Sequence, residues 1–140
     1  MQKRQKRAAD AGVTLLEVLV VVAIIAMIAT LATPKLMQSF GRAKSQAALV
    51  ALTNVKTAIQ IYQLDTGRLP TQADGLTALA TAPVSVENWQ GPYIDANGLK
   101  DPWGRDWVYR QPGETAPFDL FSYGADGQLG GSNEDSDISL

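Results

Sequence analysis

An α+β fold is expected: one long N-terminal helix, its first half transmembrane, packed on a small head. The head would hold a short helix, a small antiparallel sheet and an acidic, glycine-rich C-terminal loop. Three observations predict this. The run from Val13 to Thr33 is apolar apart from Glu17 and a few threonines. Helical spacing continues beyond it to about Leu64. Two short β-rich segments, Asp106–Gln111 and Phe118–Tyr123, flank a Pro112-Gly113 turn.

The first element follows from length and charge. Twenty-one helical residues span roughly 30 Å, the thickness of the hydrocarbon layer of a bilayer. Lys3, Arg4, Lys6 and Arg7 precede the run against one acid, Asp10. The positive-inside rule therefore places the N-terminus in the cytoplasm and the remainder outside. A secretory signal peptide removed whole is the bland alternative, but the run exceeds the usual ~7–15-residue apolar region. Pro34-Lys35 and more helix come after it, with no small-residue cleavage site. Glu17 is the anomaly. A carboxylate at mid-bilayer costs on the order of 2.5–3.5 kcal/mol and usually has a function. It is either hydrated at headgroup level or paired with a cation. Cleavage after Gly12 would create such a cation, the new amino group of Val13, on the same or a neighbouring subunit.

Beyond Pro34, Leu52, Val55, Ile59 and Tyr62 recur at helical intervals and mark a core face. Asp65-Thr66-Gly67, with Pro70 just beyond, ends the helix. Pro34 removes a donor and Gly41 weakens the helix, so a kink or melted turn is expected there. Thr71 and Asp74 have capping-box spacing before a short helix through Leu76, Leu79 and Ala80 that stops at Pro83. Trp89, Tyr93 and Trp103 read as core pegs of an irregular loop, and the two β-rich segments close the head.

Composition excludes several chemistries. The 140 residues include no cysteine and no histidine, which removes Ser-His and Cys-His catalysis, His-ligated metals and cysteine zinc sites. There is no phosphate loop, and the bases beyond the leader are scattered, so no nucleic-acid footprint is present. An anchored enzyme with a carboxylate pair would leave Glu17 unexplained. Gly124 to Ile138 carries Asp126, Glu134, Asp135 and Asp137, four glycines and no base. By composition it is either a solvated mobile tail or a loop whose carboxylates and carbonyls surround calcium, which takes 6–8 oxygens. The spacing is not that of an EF-hand. An anchored calcium module that does not polymerise is a further alternative, and it would leave Glu17→Ala harmless.

Arg7 to Glu17, with Gly12 before Val13-Thr14-Leu15-Leu16-Glu17, resembles the precursors of the type IV pilin and pseudopilin class. The resemblance implies cleavage after Gly12 by a prepilin peptidase and N-methylation of Val13, where phenylalanine or methionine is more usual. It implies that Glu17 pairs with a neighbour's amine during assembly and that Pro34 is the helix-bending proline. The chain then divides into a cleaved leader 1–12, a transmembrane and assembly helix 13–34, and a periplasmic head 35–140.

The head narrows the likeness. Tyr62-Gln63-Leu64-Asp65, Gly67-Arg68-Leu69-Pro70-Thr71, Gly91-Pro92-Tyr93, Asp101-Pro102-Trp103-Gly104 and Asp119 through Gly127 resemble the major-pseudopilin family of type II secretion. That family implies one structural calcium. Asp126 and Asp137 would supply carboxylates, and Tyr123 and Gln128 would supply main-chain carbonyls. Asp135 would be a further ligand, with Ser132 or Glu134 able to substitute. The family also implies a non-enzymatic subunit of the inner membrane that polymerises into a periplasmic filament. Its partners would be copies of itself, minor pseudopilins, the prepilin peptidase, and an inner-membrane assembly platform with its ATPase. A surface type IV pilin is the rival, against which the missing cysteines weigh.

Overall fold

The computed structural model describes residues 14–140. Helix α1 spans Leu15–Thr66, then come strands β1 (Val108–Arg110), β2 (Asp119–Ser122) and β3 (Ile138–Ser139), with short 3₁₀ turns between them. The chain forms two compact units, the first ending at Met37 and the second Gln38–Leu140. The second is called the head below.

α1 starts where Thr14 supplies a cap. The Glu17 amide donates to Thr14 Oγ1 at 3.2 Å, and Thr14-Leu15-Leu16-Glu17 has capping-box spacing. From there to Leu31 the large apolar side chains stand exposed, Leu15 at 84% and Leu31 at 76%. An apolar surface of this kind must be covered by lipid or by other helices. The expected melted turn does not occur: the helix continues unbroken through Pro34 and Gly41. Proline costs one backbone bond of a long ladder. Thr30 and Thr33 donate their hydroxyls to the carbonyls of Ala26 and Ala29, supporting the turn just before it.

Within the head, one face of α1 is the core. Ala48, Leu52, Val55, Ile59 and Tyr62 are wholly buried, and Ala58 nearly so. They pack in one cluster with Leu76, Ala78, Leu79, Trp107, Tyr109, Leu120 and Ile138. The helix stops as the sequence indicates. Gly67 takes a positive φ of 73° and its amide donates to the Gln63 carbonyl, a glycine C-terminal cap.

The Thr71–Asp74 pair forms as expected, Thr71 Oγ1 donating to Asp74 Oδ2 at 2.6 Å and accepting from the Asp74 amide at 3.1 Å. The helix it was expected to start is a single 3₁₀ turn, Leu76–Leu79. Trp89, Tyr93 and Trp103 are half-buried against the core. Trp89 Nε1 donates to the Ala78 carbonyl at 2.8 Å, and Tyr93 stands edge-on to both Tyr62 and Trp89 at 5.6 Å.

The two predicted strands pair antiparallel, with Tyr109 opposite Leu120. Tyr109 donates its hydroxyl to the Pro70 carbonyl at 2.8 Å, and burial pushes that phenol up to about 12. A third strand, which the sequence does not predict, adds Ile138 opposite Ser122. It brings the C-terminal end of the acidic loop back to where the loop leaves β2.

Candidate functional site

Two places carry the candidate residues. At the N-terminus, Gly12 and Val13 lie outside the described residues. Glu17 is exposed in the first turn of α1, its amide capped by Thr14. Pro34 lies within the helix.

The second place is the loop between β2 and β3. It turns on glycines at positive φ, Gly124 (68°), Gly127 (73°), Gly130 (96°) and Gly131 (87°). Both loop ends are tied down, Gly124 by the Ser122 hydroxyl at 3.2 Å and Ala125 by the Glu134 carbonyl at 2.8 Å. Asp126 is exposed, with Oδ1 accepting from the Gln128 amide at 3.0 Å. Asp137 Oδ2 accepts from the Gly130 amide at 3.0 Å, which closes the second half of the loop. Asp137 Oδ1 is buried and has no donor. A buried carboxylate oxygen without a partner is costly, and a cation is one way to satisfy it. Asp135 is exposed in the 3₁₀ turn Asn133–Asp135. Glu134 turns its side chain against Gly41 of α1, where an added Cβ would collide with it. That side chain therefore contacts the helix, which accounts for a glycine at this helical position.

Among the described residues no three acidic side chains converge on one point. A cation here would rest on one or two carboxylates and main-chain carbonyls, a donor set that suits calcium better than a transition metal. The buried oxygen of Asp137 fits that demand.

Sequence reasoning does not assign roles to two residues that shape this loop. Asp101, 5% exposed, accepts from the Trp103 and Arg105 amides at 3.0 and 2.8 Å and from the Ser122 hydroxyl at 2.7 Å. Arg105 Nη1 donates to the carbonyls of Gly124 and Ala125 at 3.1 and 2.5 Å. Asp101 opens the Asp101-Pro102-Trp103-Gly104 motif, but no periodicity links it or Arg105 to a loop some twenty residues away.

Comparison with known proteins matches residues 35–140 to the family described as "Type II secretion system (T2SS), protein G" and residues 7–33 to the "Prokaryotic N-terminal methylation motif". A type II secretion system core protein G of Xanthomonas campestris pv. campestris is 40% identical, over 94% of this chain and 90% of the relative. That of Vibrio cholerae is also 40% identical, over 99% of this chain and 94% of its own. The crystal structure of the major pseudopilin from the type 2 secretion system of enterohaemorrhagic Escherichia coli superposes with a TM-score of 0.60 at 33% identity, over 75% of this chain and 92% of that one. With its head, its N-terminal motif and near full-length relatives all in agreement, the chain belongs to the protein G family of the type II secretion system.

Proposed function

We propose that this chain is the structural subunit of a periplasmic pseudopilus, a helical homopolymer that supports export of folded proteins across the outer membrane. The observation that carries the reading is the first half of α1. From Leu15 to Leu31 its large apolar side chains are exposed and its one carboxylate, Glu17, lies in the first turn, while the head has a core of its own. The precursor sits in the inner membrane with its leader cytoplasmic and its head periplasmic. A prepilin peptidase cuts after Gly12, and the Val13 amine is methylated. Incoming subunits pack their apolar helices side by side, a head-to-tail contact that does not close and so grows a filament. Glu17 pairs with an incoming amine and sets the register. Minor pseudopilins and an assembly platform with its ATPase complete the machine, and the subunit itself performs no catalysis.

The test is Glu17→Ala in a host carrying the secretion system. Even about 1.4 kcal/mol of ion pairing is a factor of ten in assembly. Cross-linkable polymer should fall by roughly that factor or more, while leader cleavage and the thermal transition of the head stay as in the unsubstituted chain. Normal polymer from the variant would refute the pairing role, and absence of polymer from the unsubstituted chain as well would favour an anchored, non-polymerising module.

One calcium in the C-terminal loop belongs to the same proposal. Asp126 and Asp137 would hold it, with the Tyr123 and Gln128 carbonyls and Asp135 as a further oxygen donor. Bound there, it supplies a positive charge that fixes a loop with no disulfide to close it. At a hundredfold excess over its dissociation constant a ligand stabilises by about 2.7 kcal/mol. For a head of this size that is roughly 10–20 °C in Tm. Chelation should lower Tm by that amount, and calcium but not magnesium should restore it. Equal transitions with calcium and with chelator would remove calcium from the account.

A further inference from the structure

Arg105 grips the C-terminal loop at the positions between its proposed ligands. Tyr123, Asp126 and Gln128 are the ligands proposed in the first half of the loop. Arg105 bonds the carbonyls of Gly124 and Ala125. It also lies so close over Gly127 that a Cβ there would stand 2.6 Å from its Nε. Contacts at 124, 125 and 127 thus alternate with ligands at 123, 126 and 128.

The grip is anchored from below. The Arg105 amide is held by Asp101 Oδ1, Asp101 Oδ2 accepts from Ser122, and the Ser122 hydroxyl accepts from the Gly124 amide. The Asp101 amide donates to the Arg105 carbonyl at 2.8 Å, closing the turn. Both backbone groups of Gly124 are therefore fixed, its N–H by Ser122 and its C=O by Arg105. This circuit of hydrogen bonds runs from a buried carboxylate to the mouth of the loop.

We propose that Arg105 is a positioning residue for the cation site: its guanidinium takes the Gly124 and Ala125 carbonyls, so the first half of the loop is already set when the ion arrives. The inference rests on the calcium reading above. Two effects oppose each other. A fixed positive charge repels a divalent ion, and a pre-ordered loop spares the ion the cost of ordering it. The second prevails here. The guanidinium is exposed, so its repulsion is weakened by water and salt. Its bonds go to carbonyls, so the carboxylates of Asp126 and Asp137 stay available to the ion.

The experiment uses the full chain in detergent and two readouts. Amide exchange over Gly124–Gln128 is measured without calcium, and calcium affinity is measured by titration calorimetry. Arg105→Ala should lose protection across those amides and bind calcium roughly 10–100-fold more weakly, the range seen when an outer partner of a metal site is removed. Arg105→Lys keeps the charge but gives up the rigid, planar guanidinium whose Nη1 reaches both carbonyls, and should fall between the two. A variant that unfolded would be recognised from its tryptophan signal, and the lysine variant then carries the test. If the unsubstituted chain binds calcium and the alanine and lysine variants bind it equally well, the positioning role is overturned. If the unsubstituted chain binds none, the calcium reading itself fails, and the role falls with it.

Discussion

Asp101→Ala should cost the head about 3–5 kcal/mol, because it strips three donors of their acceptor at a carboxylate that is almost wholly buried. The Trp103 and Arg105 amides and the Ser122 hydroxyl all converge on this carboxylate, which is 5% exposed. Alanine also leaves a void of three heavy atoms. For a head of about a hundred residues the loss amounts to roughly 15–30 °C in Tm. Asp101→Asn separates acceptor loss from cavity. With its carbonyl oxygen placed at Oδ1 it keeps both backbone bonds, and its amide can donate to Ser122 Oγ. It should cost only about 1–2 kcal/mol. Near-ultraviolet circular dichroism is a suitable readout, since Trp89, Trp103 and Trp107 all lie in the head. A transition in Asp101→Ala within about 2 °C of the unsubstituted chain would show that water already reaches these donors.

Asp101 also marks a boundary between what is legible in the sequence and what is not. The core face of α1 is legible because burial and spacing repeat together: Leu52, Val55, Ile59 and Tyr62 fall at helical intervals and are wholly buried. The hairpin is legible because Pro112-Gly113 punctuates two β-rich runs that do pair. β3 is not, since two residues give no alternation to read. The short helix after Thr71 has the right cap, yet only one 3₁₀ turn forms between Gly75, at positive φ, and Ala80. Around the loop, the acidic residues announce themselves by charge, but their geometry depends on partners far along the chain. Arg105 meets Gly124 and Ala125 across nineteen and twenty residues, and Glu134 meets Gly41 across the head. Contacts of that range leave no periodic trace. The melted turn expected near Pro34 shows the converse, a local rule outweighed by the rest of a long helical ladder.

Tyr62→Ala should be among the most damaging single changes in the head, and Ile61→Ala beside it among the mildest. The two residues are adjacent on α1 but about 100° apart around its axis. Tyr62 is wholly buried, edge-on to Tyr93 at 5.6 Å, and burial raises its phenol pKa, whereas Ile61 is 44% exposed. Removing a buried aromatic ring costs about 3–5 kcal/mol through lost burial and the cavity it leaves. The Tyr93 ring loses its edge contact as well, so the Trp89–Tyr93–Tyr62 stack opens at one end. Alanine has higher helix propensity than either residue, a gain of up to about 0.7 kcal/mol that acts equally on both. At position 61 that gain offsets much of the burial lost from a half-exposed side chain, so Tm should change by only a few degrees. At position 62 it is overwhelmed. Thermal unfolding of the two variants side by side tests the assignment of the core face, since propensity cancels between them. Equal transitions would refute the face described, and a larger loss at Ile61 would mean that α1 is rotated about its axis with the head packed on the Ile61 side.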